Sequence, residues 1–137
     1  MRKRVLVVED DLLNRMFLAD SLRLHGYDVR EVDDGAQVMD AVRDYAPDLV
    51  TMDLNLPHVS GETLIRRLRR DAKLAGVPVL AITAFASPSD EQRIRQSGAD
   101  GFMAKPLALR RLLDEVSGLI ERYDNSRPGK MAERLAG

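Results

Sequence analysis

The chain has 137 residues, enough for one domain with a buried core, and its 45% hydrophobic and 31% charged residues are an ordinary globular mixture. A formal net charge of −1 argues against general affinity for nucleic acid or an anionic membrane, and the lack of cysteine excludes disulfides and thiolate metal sites. No apolar run approaches the ~20 residues that cross a bilayer, and the basic start Met1-Arg2-Lys3-Arg4 meets Glu9, Asp10 and Asp11 too soon for a secretory signal, so a soluble cytoplasmic protein is expected.

Apolar runs then alternate with helical stripes. Val5–Val8 is a nearly continuous run, as expected of a parallel strand covered on both faces, and Leu13, Phe17, Leu18 and Leu22 follow as a helical stripe that Gly26 ends. Val29–Val32 reads as a second strand, Asp34-Gly35 as a turn, and Val38, Val42 and Tyr45 as the next stripe. Leu49–Met52 is the third strand; Ser60 is placed to cap a helix carrying Leu64, Ile65 and Leu68. Val77–Ile82 is the fourth, and Ser87-Pro88 puts a capping hydroxyl before a first-turn proline. The helix from Pro88 to Gln96 has Ile94 as its main anchor and is predicted to be the most weakly held. Phe102–Ala104 is the fifth strand, followed by Leu109, Leu112, Leu113, Val116 and Ile120. One domain over 1–122 is predicted, with a flexible tail over 123–137 that contains Arg127-Pro128-Gly129. Strand then helix, five times over, predicts an α/β fold with a parallel five-stranded sheet and right-handed crossovers.

The informative residues stand at the carboxyl ends of these strands, where open α/β sheets form their sites. The first strand runs into Glu9-Asp10-Asp11 and the third into Asp53; the fourth ends in Thr83 and the fifth in Lys105. In the doubly wound order 2-1-3-4-5, the first and third strands meet at the topological switch, and their carboxylates face each other. Like charges at such spacing repel unless a cation compensates, and Mg²⁺ suits them as a hard ion that takes carboxylates, a carbonyl and water. Lys105 adds a fixed compensating charge; a salt-bridge network around it without function is the bland alternative.

Val7-Val8-Glu9-Asp10-Asp11, Met52-Asp53-Leu54-Asn55-Leu56-Pro57, Ile82-Thr83-Ala84 and Lys105-Pro106 together resemble the signature of response-regulator receiver domains, in order and spacing from about Arg4 to Arg122. The resemblance implies a doubly wound (βα)5 fold of the flavodoxin and CheY type. It implies that Asp53 is the nucleophile that becomes an aspartyl phosphate. Asp10, Asp53 and the backbone carbonyl of Asn55 would ligate Mg²⁺ (or Mn²⁺ in its place), with Glu9 acting through water. Lys105 would pair with Asp53 and then with a phosphoryl oxygen, the Thr83 hydroxyl would bond another, and small Ala84 would leave the phosphate room. Thr83 and Phe102 would form the switch, Phe102 lacking the hydroxyl of a tyrosine. Asn55 and Phe85 occupy the positions that govern the lifetime of the phosphorylated form, and the Lys105–Pro106 bond is often cis in the family. Asp11 is expected instead to open the first helix.

Glu9-Asp10-Asp11-Leu12-Leu13-Asn14, Thr83-Ala84-Phe85-Ala86 and Asp90-Glu91-Gln92-Arg93-Ile94-Arg95 are most similar to stand-alone receivers of the cell-cycle DivK type, although receivers of hybrid histidine kinases share some of this pattern. The implied function is that of a two-component phosphorelay protein, not an enzyme acting on other substrates. It would take its phosphoryl group from a sensor histidine kinase or histidine phosphotransfer protein. Its output to a downstream protein would go through the fourth helix, fifth strand and fifth helix. A monomer or weak dimer is expected, because Gly101 follows Asp100 where dimerising transcriptional receivers carry a second acid.

Other features have plainer readings. Arg66, Arg67, Arg69 and Arg70 read as a solvated outer face, Arg110 and Arg111 lie at the expected output surface, His25 and His58 read as surface residues, and Met16, Met39, Met52 and Met103 as core filler. Three rival functions remain. A degenerate interaction module would have lost one of the five site residues, all present here. An aspartate-nucleophile phosphatase needs an acid where Asn55 stands. A flavin-binding protein needs a hydroxyl-rich loop where Glu9-Asp10-Asp11 stands.

Overall fold

The computed structural model describes residues 2–84 and 87–126. Five strands, β1 (Arg4–Val8), β2 (Asp28–Val32), β3 (Leu49–Asp53), β4 (Val79–Thr83) and β5 (Gly101–Ala104), form one parallel sheet in the order β2-β1-β3-β4-β5. Helices α1 (Leu12–Leu24), α2 (Val38–Tyr45), α3 (Gly61–Arg70), α4 (Pro88–Gln96) and α5 (Leu109–Ser126) connect or follow them. The predicted fold class and strand order are those observed.

Side chains alternate across a strand, so each strand feeds two cores. Val5, Val7, Leu49, Leu80 and Ile82 pack with Leu18 and Leu22 of α1 and Leu112, Val116 and Ile120 of α5. Leu6, Val8, Val50, Met52 and Ala81 face the other way, against Val42, Leu64, Leu68 and Ile94 of α2, α3 and α4. Both faces are covered, and β3 and β4 are buried along their whole length, which is why they read as nearly continuous apolar runs.

The caps follow the sequence. Asp11 accepts from the Asn14 N–H at the start of α1, and Ser60 accepts from the Thr63 N–H at the start of α3. Ser87 and Asp90 form a reciprocal capping box on α4 with Pro88 in its first turn. Ile94 is the buried residue of α4, so that helix rests on one aliphatic anchor, worth about 1.5–3 kcal/mol of burial.

Four expectations are corrected. In α1, Leu13 is 75% exposed and Phe17 40%, with Leu12 and Met16 also outside, so the buried seam is Leu18, Ala19 and Leu22. Nine residues at ~100° each put Leu13 half a turn from Leu22; the apolar residues of α1 therefore form two faces, and only one has the sheet beneath it. In α5, Leu109 is 41% exposed and the buried seam begins at Leu112. That helix runs on to Ser126, past Arg122, with Asp124 paired to Lys3 at 2.6 Å; the rest of the expected tail, 127–137, lies outside the described residues.

The fourth correction is Arg69, which is no outer-face residue. It donates to the carbonyls of Gly98, Ala75 and Val77 and pairs with Asp100 at 2.7 Å, stapling α3 to the loops that lead into β4 and β5. Asp100 in turn accepts from the Val79 N–H. A planar guanidinium can serve several acceptors at once, and periodicity cannot reveal that. Arg66, Arg67 and Arg70 are exposed as expected, as are Arg110, Arg111, His25 and His58. Met52 and Met103 are core and Met39 packs against it, whereas Met16, also expected as core filler, lies on the outer face of α1.

Candidate functional site

From β1 the sheet extends to β2 on one side and to β3, β4 and β5 on the other, which opens a crevice at the carboxyl ends of β1 and β3. Glu9 follows β1 at 1% exposure, with its N–H bonded to the Val32 carbonyl at 3.0 Å; Asp10 comes next and is exposed. Asp53 ends β3 at 3% exposure. One carboxylate oxygen each from Glu9, Asp10 and Asp53 lies within 4.8 Å of the others, the only such acidic group among the described residues.

Lys105, from the loop after β5, reaches into this cluster. Its Nζ is 3.2 Å from Glu9 Oε1 and 3.5 Å from Asp53 Oδ2. The backbone N–H of Lys105 bonds the Thr83 carbonyl at 2.8 Å, tying the β5 end to the β4 end, and the Lys105–Pro106 bond is cis.

Burial pushes the Glu9 carboxyl up to about 8, helped by its hydrogen bond to Asp53 and the charge there, while Lys105 pulls the other way. Burial alone would lower the Lys105 ammonium, but the charges of Asp53 and Glu9 outweigh it and the net shift is upward. One ammonium thus leaves the carboxylates undercompensated. Glu9 Oε1 is fully buried and has that ion pair but no aligned hydrogen bond. A hard divalent cation fits this donor set: buried and exposed carboxylate oxygens converging from two strand ends.

Asn55 closes the crevice on the β4 side. Its N–H bonds Asp53 Oδ1 at 2.9 Å, and its side-chain oxygen accepts from the Ala84 N–H at 3.1 Å and the Thr83 hydroxyl at 3.5 Å. The acidic cluster, Lys105, Thr83, Ala84 and Asn55 are thus brought together as expected. Phe102 is elsewhere: it is half-buried against the α4-side core, paired in register with Ala81. Phe85 lies outside the described residues.

Sequence reading passed over two supports. A Cβ on Gly61 would lie 2.5 Å from the Asp53 carbonyl oxygen, so only glycine lets the start of α3 approach the end of β3 this closely. The guanidinium of Arg15 bonds the Glu9 and Asp10 carbonyls at 3.0 and 3.3 Å. The first could have been suspected from a glycine directly after the Ser60 cap; the second had no sequence signal.

Residues 5–117 match the family described as response regulator receiver domain. The polar-differentiation response regulator DivK of Brucella ovis is 37% identical over 120 residues, covering 88% of this chain and 98% of that one. Among solved structures, the chemotaxis protein CheY4 of Vibrio cholerae superposes with a TM-score of 0.82 at 25% identity, over 87% of this chain and 99% of that one. The signal receiver domain of a signal transduction histidine kinase from Syntrophus aciditrophicus gives 0.82 at 28% identity, over 92% and 96%.

Proposed function

The chain belongs to the response regulator receiver family, and we propose that it works as a phosphorelay switch that accepts a phosphoryl group on Asp53 in a reaction dependent on a divalent cation, most naturally Mg²⁺. The observation that carries this reading is the position of Asp53, buried between Lys105 and the Glu9–Asp10 pair.

Asp10, Asp53 and the Asn55 backbone carbonyl would hold the cation, with Glu9 behind them. When bound, the cation supplies neutralisation of charge on the transferring phosphoryl oxygens. An Asp53 carboxylate oxygen attacks phosphorus in line; the P–O bond forms as the P–N bond of the donor phosphohistidine breaks, and the imidazole leaves with the electron pair. The Lys105 ammonium, already 3.5 Å from Asp53, balances one phosphoryl oxygen. The Thr83 hydroxyl and Ala84 N–H can donate to another once they exchange the Asn55 side-chain oxygen for it. The protein catalyses only its own phosphorylation and dephosphorylation.

The donor is a histidine kinase or histidine phosphotransfer protein. Its seat is the exposed apolar face of α1, where Leu13, Met16 and Phe17 are uncovered. Phe17 also shares a shallow hollow with Lys105, Pro106 and Leu107 beside the acceptor. An apolar patch rimmed by the site's charges suits a partner helix that must bring its histidine to Asp53.

Output runs through α4, β5 and α5. Phosphorylation adds about −1.5 to −2 charge; drawing Thr83 and Lys105 toward it pulls on the ends of β4 and β5. Helix α4, held by Ile94 and by the Arg93–Glu62 pair at 3.1 Å, is the element free to take a second arrangement.

The test is incubation with acetyl phosphate, with and without Mg²⁺, followed by intact mass. One adduct that needs both Mg²⁺ and Asp53 is expected. Normal incorporation by Asp53→Asn would sink the site assignment.

A further inference from the structure

We infer that Arg15 is a positioning residue for the cation site, clamping the backbone of the β1–α1 loop so that Glu9 and Asp10 are presented to the ion. This rests on the cation-dependent reading of the site given above.

A loop that turns two successive acidic side chains toward one point must fix the peptide planes that carry them. Here one guanidinium nitrogen of Arg15 donates to the Glu9 carbonyl at 3.0 Å and to the Asp10 carbonyl at 3.3 Å. Its Nε stands 3.6 Å from Glu31 Oε1 on β2. Glu31 is held in turn by Arg23 at 3.0 Å, and Arg23 donates to the Val29 carbonyl at 3.0 Å. The Arg15 side chain is only 15% exposed, against 45% for Arg23, so it is an immobilised brace rather than a mobile surface cation. The loop is thus held from three directions: by the Glu9 N–H on Val32, by the Asp11 cap on α1, and by Arg15 on the two carbonyls.

Clamp and charge make opposite predictions. As a cation near the site, Arg15 would by Coulomb repulsion weaken Mg²⁺ binding, and its removal would tighten it. As a clamp, it holds the ligands in place, and its loss loosens the site. Supporting residues behind metal ligands are worth about 10–100-fold in metal affinity. Lysine keeps the charge but has a single nitrogen, which cannot meet the two carbonyls and Glu31 at once as the guanidinium does with two of its nitrogens.

The experiment is a Mg²⁺ titration of the full chain, followed by backbone amide NMR, for wild type, Arg15→Lys, Arg15→Gln and Glu31→Gln. Melting in EDTA checks that each variant is folded. The expected result is about tenfold weaker Mg²⁺ binding in both Arg15 variants, with melting little changed, and a smaller loss in Glu31→Gln. Wild-type affinity in Arg15→Lys, or tighter binding in Arg15→Gln, overturns the clamp and leaves the cation site standing. A wild type that shows no saturable Mg²⁺ binding overturns the cation-site reading and the clamp with it.

Discussion

The Lys105 ammonium lies 3.5 Å from the Asp53 carboxylate, on a side chain anchored through its own backbone to the end of β4. The two are a preformed pair, and the pair is what a transferring phosphoryl group would insert between. Removing the ammonium leaves Asp53 in place but strips the fixed positive charge from the transferring oxygens. We expect Lys105→Ala to take up phosphate from acetyl phosphate about 100-fold more slowly than wild type at saturating Mg²⁺, as read by intact mass over time. A wild-type rate would remove Lys105 from the mechanism.

Glu9 makes stability depend on pH in a particular direction. Its folded pKa, about 8, is above the unfolded value of 4.5, so the folded state binds the extra proton between them. The stability this contributes is fully present below about 4.5 and is lost as pH rises through about 8. In EDTA the melting temperature should therefore fall between pH 5 and pH 8. Saturating Mg²⁺ should restore it at the alkaline end, and Glu9→Gln should flatten the slope. A slope that survives Glu9→Gln would assign it to other groups.

If the apolar face of α1 seats the donor, as proposed, a substitution there should separate protein donors from small ones. Leu13→Asp leaves the acid cluster and Lys105 untouched, and Leu13 is 75% exposed, so the fold should tolerate it. Transfer from a phosphorylated histidine phosphotransfer protein should drop about tenfold or more, as truncating or charging an interface anchor does. Uptake from acetyl phosphate should be unchanged. Equal loss with both donors would place the effect in the site itself.

Arg69 tests a structural claim. Lysine can reach one acceptor where the guanidinium now serves Gly98, Ala75, Val77 and Asp100. Arg69→Lys should cost about 2–3 kcal/mol in urea unfolding, since carbonyls taken out of water lose their donor. A cost within about 0.5 kcal/mol, the range of an ordinary surface change, would contradict the staple.

Ile94 holds α4. Ile94→Ala should cost about 2–4 kcal/mol, and amide exchange in α4 should speed up more than in the five strands. Uniform acceleration across the sheet would mean that α4 does not open on its own.

Much of this protein was written in local patterns. Nearly continuous apolar runs mark strands buried on both faces, Asp11, Ser60 and Ser87 cap the helices they precede, and the chemistry-bearing residues fall at strand ends, so the order of motifs led directly to Glu9, Asp10, Asp53, Thr83 and Lys105. These features depend on residues close in sequence, or on a topology that strand–helix alternation nearly dictates.

Only the tertiary structure decided the rest. Spacing showed that α1 is apolar but not which of its two faces meets the sheet, because that depends on where neighbouring strands and α5 lie. A run of arginines gave no sign that Arg69 turns inward, nor that Arg15 reaches back to the Glu9 and Asp10 carbonyls, since their acceptors are backbone oxygens that no residue type reveals. Likewise, Gly61 is required because a Cβ there would stand 2.5 Å from the Asp53 carbonyl oxygen at the end of β3. Periodicity reports a side chain's affinity for water; which acceptor it finds, and which backbone it must make room for, are set by packing across the fold.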